Sequence, residues 1–296
     1  MADAKEISLV LGSGGARGLA HIGVIRALEE KSLRIRNIAG TSMGALIGGI
    51  YAADELNTFS KWVQQLERGD VIRLLDLSFS MTALFKGDRV IEVLKELIGD
   101  SRIEDLPIGF TAVATALREQ REVWLNKGSL FDAIRASIAV PGVFTPATVA
   151  GQLLVDGGLV NPIPIAPTLN DATDLTIAVN LSGVSEHYHP QEEAQPAQRD
   201  KVARGYRAAI SQFVSGLLED DDDEDGQGAP GFGDLLTQSF DVMQGSIARL
   251  KLAAYMPDIV IDVPRDACTF FEFYRADEME ELGYRKAHEV LADYGL

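Results

Sequence analysis

The chain has 296 residues, 46% hydrophobic and 24% charged, with 44 Asp+Glu against 27 Lys+Arg and a formal charge of −17. That composition folds around a full apolar core, and its acidity disfavours nucleic acid and anionic lipid surfaces, which need clustered Lys and Arg. A lone cysteine, Cys268, excludes an intrachain disulfide and a cysteine-based metal site and points to a reducing, cytoplasmic setting. No basic segment followed by an apolar stretch opens the sequence, so no secretory signal is expected. The longest uncharged stretch, 37–53, is too short and too glycine-rich to span a bilayer.

Residues 7–11 (ISLVL) form an apolar run closed by Gly12, the mark of a buried strand. The turn that follows, GSGGARG at 12–18, opens a helix in which Leu19, Ile22, Ile25 and Leu28 recur at three-residue spacing. A second cycle repeats the order: strand 35–39, sharp turn GTSMG at 40–44, then a helix of small and apolar residues over 45–53. Repeated strand–loop–helix units predict a parallel sheet with crossover helices. Gly48 and Gly49 each cost that helix about 1 kcal/mol relative to Ala, which implies close backbone packing.

Residues 56–98 are helical in period, and their apolar middle, 71–85 with Leu75 and Phe79, reads either as core or as a wall for an apolar substrate. Further strands are expected at 108–114, 122–125, 153–155, 175–180 and 259–263. An insertion at 184–257 separates the last two. It holds one amphipathic helix through Val202, Tyr206, Ile210, Phe213 and Leu217 and a second through Leu236, Phe240, Met243, Ile247, Leu250 and Ala254. The acidic run at 219–225 between them reads as a solvated linker. A final helix covers 276–292, and residues 1–296 read as a single domain without internal repeats.

Gly40, Ser42 and Gly44 fit G-x-S-x-G, in which a serine on a strained strand-to-helix turn is lifted clear of the sheet. The alternative is a glycine-rich helix entry with Ser42 as N-cap. The loop at 12–18 fails as a dinucleotide fingerprint, because Arg17 or Leu19 falls in the last glycine slot, and it lacks the Gly-Lys-Ser/Thr of a phosphate-binding loop. It suits an oxyanion hole built from the amides of Gly14, Gly15, Ala16 and Arg17 at a helix start, with Arg17 bracing the loop or adding positive potential; a purely structural turn is the other reading.

A serine nucleophile needs a base. Asp156 precedes Gly157 and Gly158 at a strand end, where burial and contact with Ser42 would raise an otherwise feeble basicity. His21 lies in the first helix as a packing or surface residue, whereas His187, His189 and His288 follow Asp156 and would complete the Ser…Asp…His order of α/β-hydrolases. Both readings of the base stay open at this point.

Together GGARG at 14–18, GTSMG at 40–44 and DGG at 156–158 resemble, in order and spacing, the signature blocks of the patatin-like phospholipases, and ASIAVPGVFTP at 136–146 and NPIP at 161–164 resemble its bacterial members. The likeness covers about 5–183 plus the terminal strand and helix. It implies a three-layer α/β/α sandwich with a mainly parallel sheet and the helical insertion before the last strand. It further implies Ser42 and Asp156 as a catalytic dyad, oxyanion donors around Gly14 and Gly15, and no cofactor, metal or nucleic acid. The expected enzyme is a serine hydrolase of lipid esters working through an acyl-serine, with contact to a membrane only peripheral and the oligomeric state left open. Ser13 departs from the family, which often has glycine there. The rivals are an esterase with a Ser-Asp-His triad and a non-catalytic lipid-binding module.

Overall fold

A computed structural model of the chain describes residues 5–74, 83–185 and 232–296. The strands are β1 (Glu6–Leu11), β2 (Arg34–Thr41), β3 (Ala83–Phe85), β4 (Gly109–Ala116), β5 (Arg121–Leu125), β6 (Gly142–Phe144), β7 (Ala147–Val149), β8 (Gln152–Asp156), β9 (Leu175–Gly183) and β10 (Ile259–Pro264). The helices are α1 (Ala20–Glu30), α2 (Met43–Ala52), α3 (Leu56–Val63), α4 (Arg68–Leu74), α5 (Asp88–Ile98), α6 (Leu130–Ser137), α7 (Phe232–Tyr255) and α8 (Ala276–Asp293).

An eight-stranded sheet runs β10-β9-β1-β2-β4-β8-β7, with β5 also on β4. The five strands from β10 to β4 are parallel, as crossover helices demand, and β5, β7 and β8 are antiparallel additions. Strand alternation divides the core. Leu9 and Leu11 join Ile177, Val179 and Ile261 in the large cluster under α1, α2 and α8, whereas Val10 and Ala178 point to the opposite face and meet Ile163, Ile165 and Ala248 of α7. Helices on both faces make the three-layer α/β architecture.

One register detail positions the site. Along β4, β2 pairs with 109–113, β8 with 114–116 and β5 with 112–116, so β2 and β8 share the edge opposite β5. Being antiparallel to each other, they run head-on along that edge, and the end of β2 (Thr41, opposite Val113) meets the end of β8 (Asp156, opposite Ala114).

Three features differ from the sequence-based expectation. Ala83–Phe85 is a strand, not helix: it pairs with Gly142–Phe144 in a separate two-stranded sheet, with the Phe85 and Phe144 rings 6.3 Å apart. Helix α6 was not anticipated, although Ser129 caps it by accepting the Asp132 N–H at 3.2 Å, a signal visible in the sequence. On α7 the packed face is Gln244, Ala248, Leu252 and Tyr255; of the expected stripe Met243 (49%), Leu250 (68%) and Ala254 are exposed, and Phe240 and Ile247 are half-buried. Leu75, Phe79, His187, His189, the first insertion helix and the acidic run lie outside the described residues.

Candidate active site

Ser42 stands between β2 and α2 at φ 54° and ψ −123°, a conformation that non-glycine residues rarely hold. Its surroundings enforce it. Leu46 donates to the Ser42 carbonyl at 3.0 Å, and the Ser42 N–H donates to Ser137 Oγ at 2.9 Å, whose own hydroxyl donates to the Val113 carbonyl at 2.6 Å. The flanking glycines are obligatory: a Cβ on Gly40 would lie 2.4 Å from the Gly44 carbonyl oxygen, and one on Gly44 2.1 Å from that of Leu11.

The glycine loop is clamped peptide by peptide. Gly12 N–H donates to the Val179 carbonyl at 3.1 Å, Ser13 N–H to that of Pro162 at 2.8 Å, and Ala16 N–H to that of Phe270 at 3.0 Å. Gly14 and Gly15 are left, with no backbone acceptor outside their own turn among the described residues, at the start of the 3-10 helix Gly15–Leu19. Two unpaired amides at a helix start are suited to hold a developing negative charge. Ala16, grouped with them from the sequence, has its amide engaged. The Arg17 side chain turns away as a brace: it donates to the Arg265 carbonyl at 2.8 Å and pairs with Asp241 of α7 at 2.9 Å.

His21 is neither surface nor base. It is fully buried, and its Nε2–H donates to the Gly12 carbonyl at 2.9 Å, which fixes the tautomer. Burial pushes its pKa down to about 4 against the pull of that carbonyl, so it is neutral at physiological pH. Together with Pro162 it pins both ends of the peptide leading into the loop.

Asp156 closes β8 and is fully buried. Its Oδ1 accepts the Gly158 N–H at 2.6 Å, and its main chain is tied by Ala139 at 2.9 Å and by the Thr115 hydroxyl at 2.9 Å. Its Oδ2 has no well-formed hydrogen bond among the described residues, and the Ser42 side chain interacts with the carboxylate without an aligned bond. Burial pushes the Asp156 pKa up to about 7, opposed by Ser42 and by the Gly158 N–H. The structure thus brings Ser42, Asp156 and the glycine loop together and leaves His288 apart. His288 stands 3.4 Å from Glu30, at the far end of α1, about 15 Å of helix away from the loop.

Sequence reasoning missed Ser137, the clamp of His21, and Gln244 of α7. The Gln244 Nε2 lies 2.2 Å from where a Cβ on Gly158 would stand. Among the described residues no cluster of His, Cys, Asp or Glu could hold a metal, and no helix is long and apolar enough to cross a membrane. A cavity of about 310 Å³ at the opposite, starting ends of β2 and β4, lined by Asn37, Gly109 and Lys127, shares no residue with this constellation.

A family model described as patatin-like phospholipase matches residues 9–169. The chain is 37% identical to "Uncharacterized NTE family protein Mb1092c" of Mycobacterium bovis, over 97% of this chain and 91% of that protein. It is 28% identical to "Lysophospholipase nte1" of Emericella nidulans, over 97% of this chain but 18% of that much longer protein. Among solved structures, VipD from Legionella pneumophila aligns at TM-score 0.46 and 15% identity, covering 98% of this chain and 67% of that one.

Proposed function

The chain belongs to the patatin-like phospholipase family, and on that premise we propose that it is a serine acyl hydrolase of lipid esters in which Ser42 is the nucleophile and Asp156 its base. Family membership supports lipid hydrolase activity; the residue roles rest on geometry. The observation that carries them is the meeting of a backbone-strained Ser42 with a buried carboxylate whose Oδ2 is otherwise unpaired.

In this mechanism ionised Asp156 takes the Ser42 hydroxyl proton as Oγ attacks the ester carbonyl carbon. Charge gathers on the carbonyl oxygen, where the Gly14 and Gly15 amides receive it. Collapse breaks the bond to the alcohol, which leaves with the proton from Asp156, and the acyl group stays on Ser42. A water then gives its proton to Asp156 and attacks the acyl carbon; collapse breaks the bond to Ser42 Oγ, which takes that proton back from Asp156, and the fatty acid is released. A carboxyl group with a pKa near 7 serves both directions, because neither protonation state is far from reach at neutral pH.

A histidine base finds no support among the described residues, since His21 donates to Gly12 and His288 sits beside Glu30. The test is fatty-acid release from a lysophospholipid by a variant with His187, His189 and His288 all changed to Gln. Retained turnover is expected, and its loss would reinstate a triad.

A further inference from the structure

One dipeptide, Asn161–Pro162, touches all three parts of the constellation. The Asn161 carbonyl accepts at 2.9 Å the hydroxyl of Thr41, the residue before Ser42. The Asn161 N–H donates at 2.8 Å to the carbonyl of Gly157, the residue after Asp156. The next carbonyl along, that of Pro162, is the one that accepts the Ser13 N–H of the glycine loop. Both residues are buried, Asn161 completely. A displacement of this dipeptide is therefore passed to the nucleophile, the base and the oxyanion loop together.

Strand β5 holds the dipeptide from outside. Glu122 of β5 lies directly opposite Thr115 of β4, so the two side chains share one face of the sheet. Each ties one end of the turn 156–161: the Thr115 hydroxyl donates to the Asp156 carbonyl at 2.9 Å, and Glu122 Oε2 accepts the Asn161 Nδ2–H at 2.7 Å. A bond to a carboxylate is stronger than one between neutral groups. It also fixes the carboxamide, since the flipped amide would set Oδ1 against the carboxylate. No other bond restrains that side chain, because Oδ1 is buried without a partner among the described residues. Glu122 is itself held by the Trp124 indole N–H at 2.9 Å and by Lys251 of α7 at 3.6 Å.

We infer that Glu122, acting through Asn161, is a positioning residue that keeps the Ser42 turn, the Asp156 turn and the glycine loop at their reacting separation. The inference rests on the assignment of Ser42 and Asp156 and adds to it a residue that bonds to neither.

The test is a double-mutant cycle. The rate of modification by a fluorophosphonate, with the modified residue mapped, is measured for the wild type, Glu122→Ala, Asn161→Ala and the double variant. The same four proteins give kcat and KM on p-nitrophenyl butyrate, and a thermal melt of each checks the fold. Each single variant should lower kcat and the labelling rate by about tenfold with KM changed by less than about twofold, because a small misplacement harms reaction more than binding. The double variant should be no slower than either single one, since both remove the same bond. Glu122→Gln, which still offers Asn161 an acceptor oxygen, should return to within about twofold of the wild type, and Trp124→Phe should match it. If Glu122→Ala does not fold, Glu122→Asp takes its place in the cycle, with a loss of about threefold from a carboxylate withdrawn by one methylene. Losses that add in the double variant, a rise in KM at constant kcat, or unchanged labelling in the single variants overturns the inference. Labelling of the wild type at a residue other than Ser42 would sink the dyad itself, and the inference with it.

Discussion

Helices α2 and α7 both border the site and both carry glycines, yet they are held by different means. Apart from the half-buried Tyr51, α2 is buried along its length, and its Gly44 passes so close to β1 that a Cβ would lie 2.1 Å from a backbone oxygen. By contrast α7 exposes Val242 (71%) and Leu250 (68%), and a Cβ on its Gly245 would meet nothing nearer than 3.6 Å. Backbone against backbone fixes α2; two ion pairs and a small apolar patch fix α7. The Ser42 side of the site is therefore intolerant of any added atom, and the side bearing Gln244 is adjustable by side-chain exchange.

Ser42→Ala should cut ester turnover by roughly a thousandfold or more while leaving the fold intact, measured as fatty-acid release alongside a thermal melt. Gly44→Ala should act through stability instead. With a backbone oxygen in the way it should cost more than about 4 kcal/mol in denaturant unfolding, and an undiminished midpoint would break the contrast between the two helices. Gly245→Ala, whose added Cβ would sit at ordinary van der Waals distance from Arg249 and Ser182, should gain up to about 1 kcal/mol in the same experiment.

Two buried titratable groups on the rigid side give pH signatures of opposite sense. For Asp156 the folded pKa, about 7, is above its ordinary 3.8, so its contribution to stability is complete below pH 3.8 and is lost as pH rises through 7. Asp156→Asn should gain on the wild type across that window with a slope of up to about 1.4 kcal/mol per pH unit. For His21 the folded pKa, about 4, is below its ordinary 6.5, so its contribution is complete above 6.5 and is lost as pH falls toward 4. His21→Leu should flatten that acid-side loss and, by leaving the Gly12 carbonyl unpaired, cost about 1–3 kcal/mol at pH 8. A uniform offset at all pH values would contradict the buried, neutral assignment.

The alternating strands and helices on either side of the two glycine turns were legible because parallel strands buried on both faces read as continuous apolar runs. The turns that carry Ser42 and Asp156 were legible through their glycines, which close backbone approaches dictate: Gly40 to Gly44, Gly44 to Leu11 and Gly157 to Val113. Neither the register that drives β2 and β8 head-on along β4 nor the placement of Ser137 beneath Ser42 leaves a mark in local sequence, since both arise from long-range pairing. The face of α7 was misjudged because the sheet surface it meets offers only Val10 and Ala178 with their few neighbours, and a polar residue, Gln244, takes an inward position in place of an apolar one. The strand at Ala83–Phe85 was hidden by its length, three residues with no alternation to show.

The most direct test of the account is reaction of the folded protein with a fluorophosphonate ester, followed by mass-spectrometric mapping of the modified residue. Modification at Ser42 alone, lost in Asp156→Asn and retained when His187, His189 and His288 are all replaced by Gln, is the predicted result. Modification of another residue, or of Ser42 at an undiminished rate in Asp156→Asn, would contradict the pairing of Ser42 with Asp156.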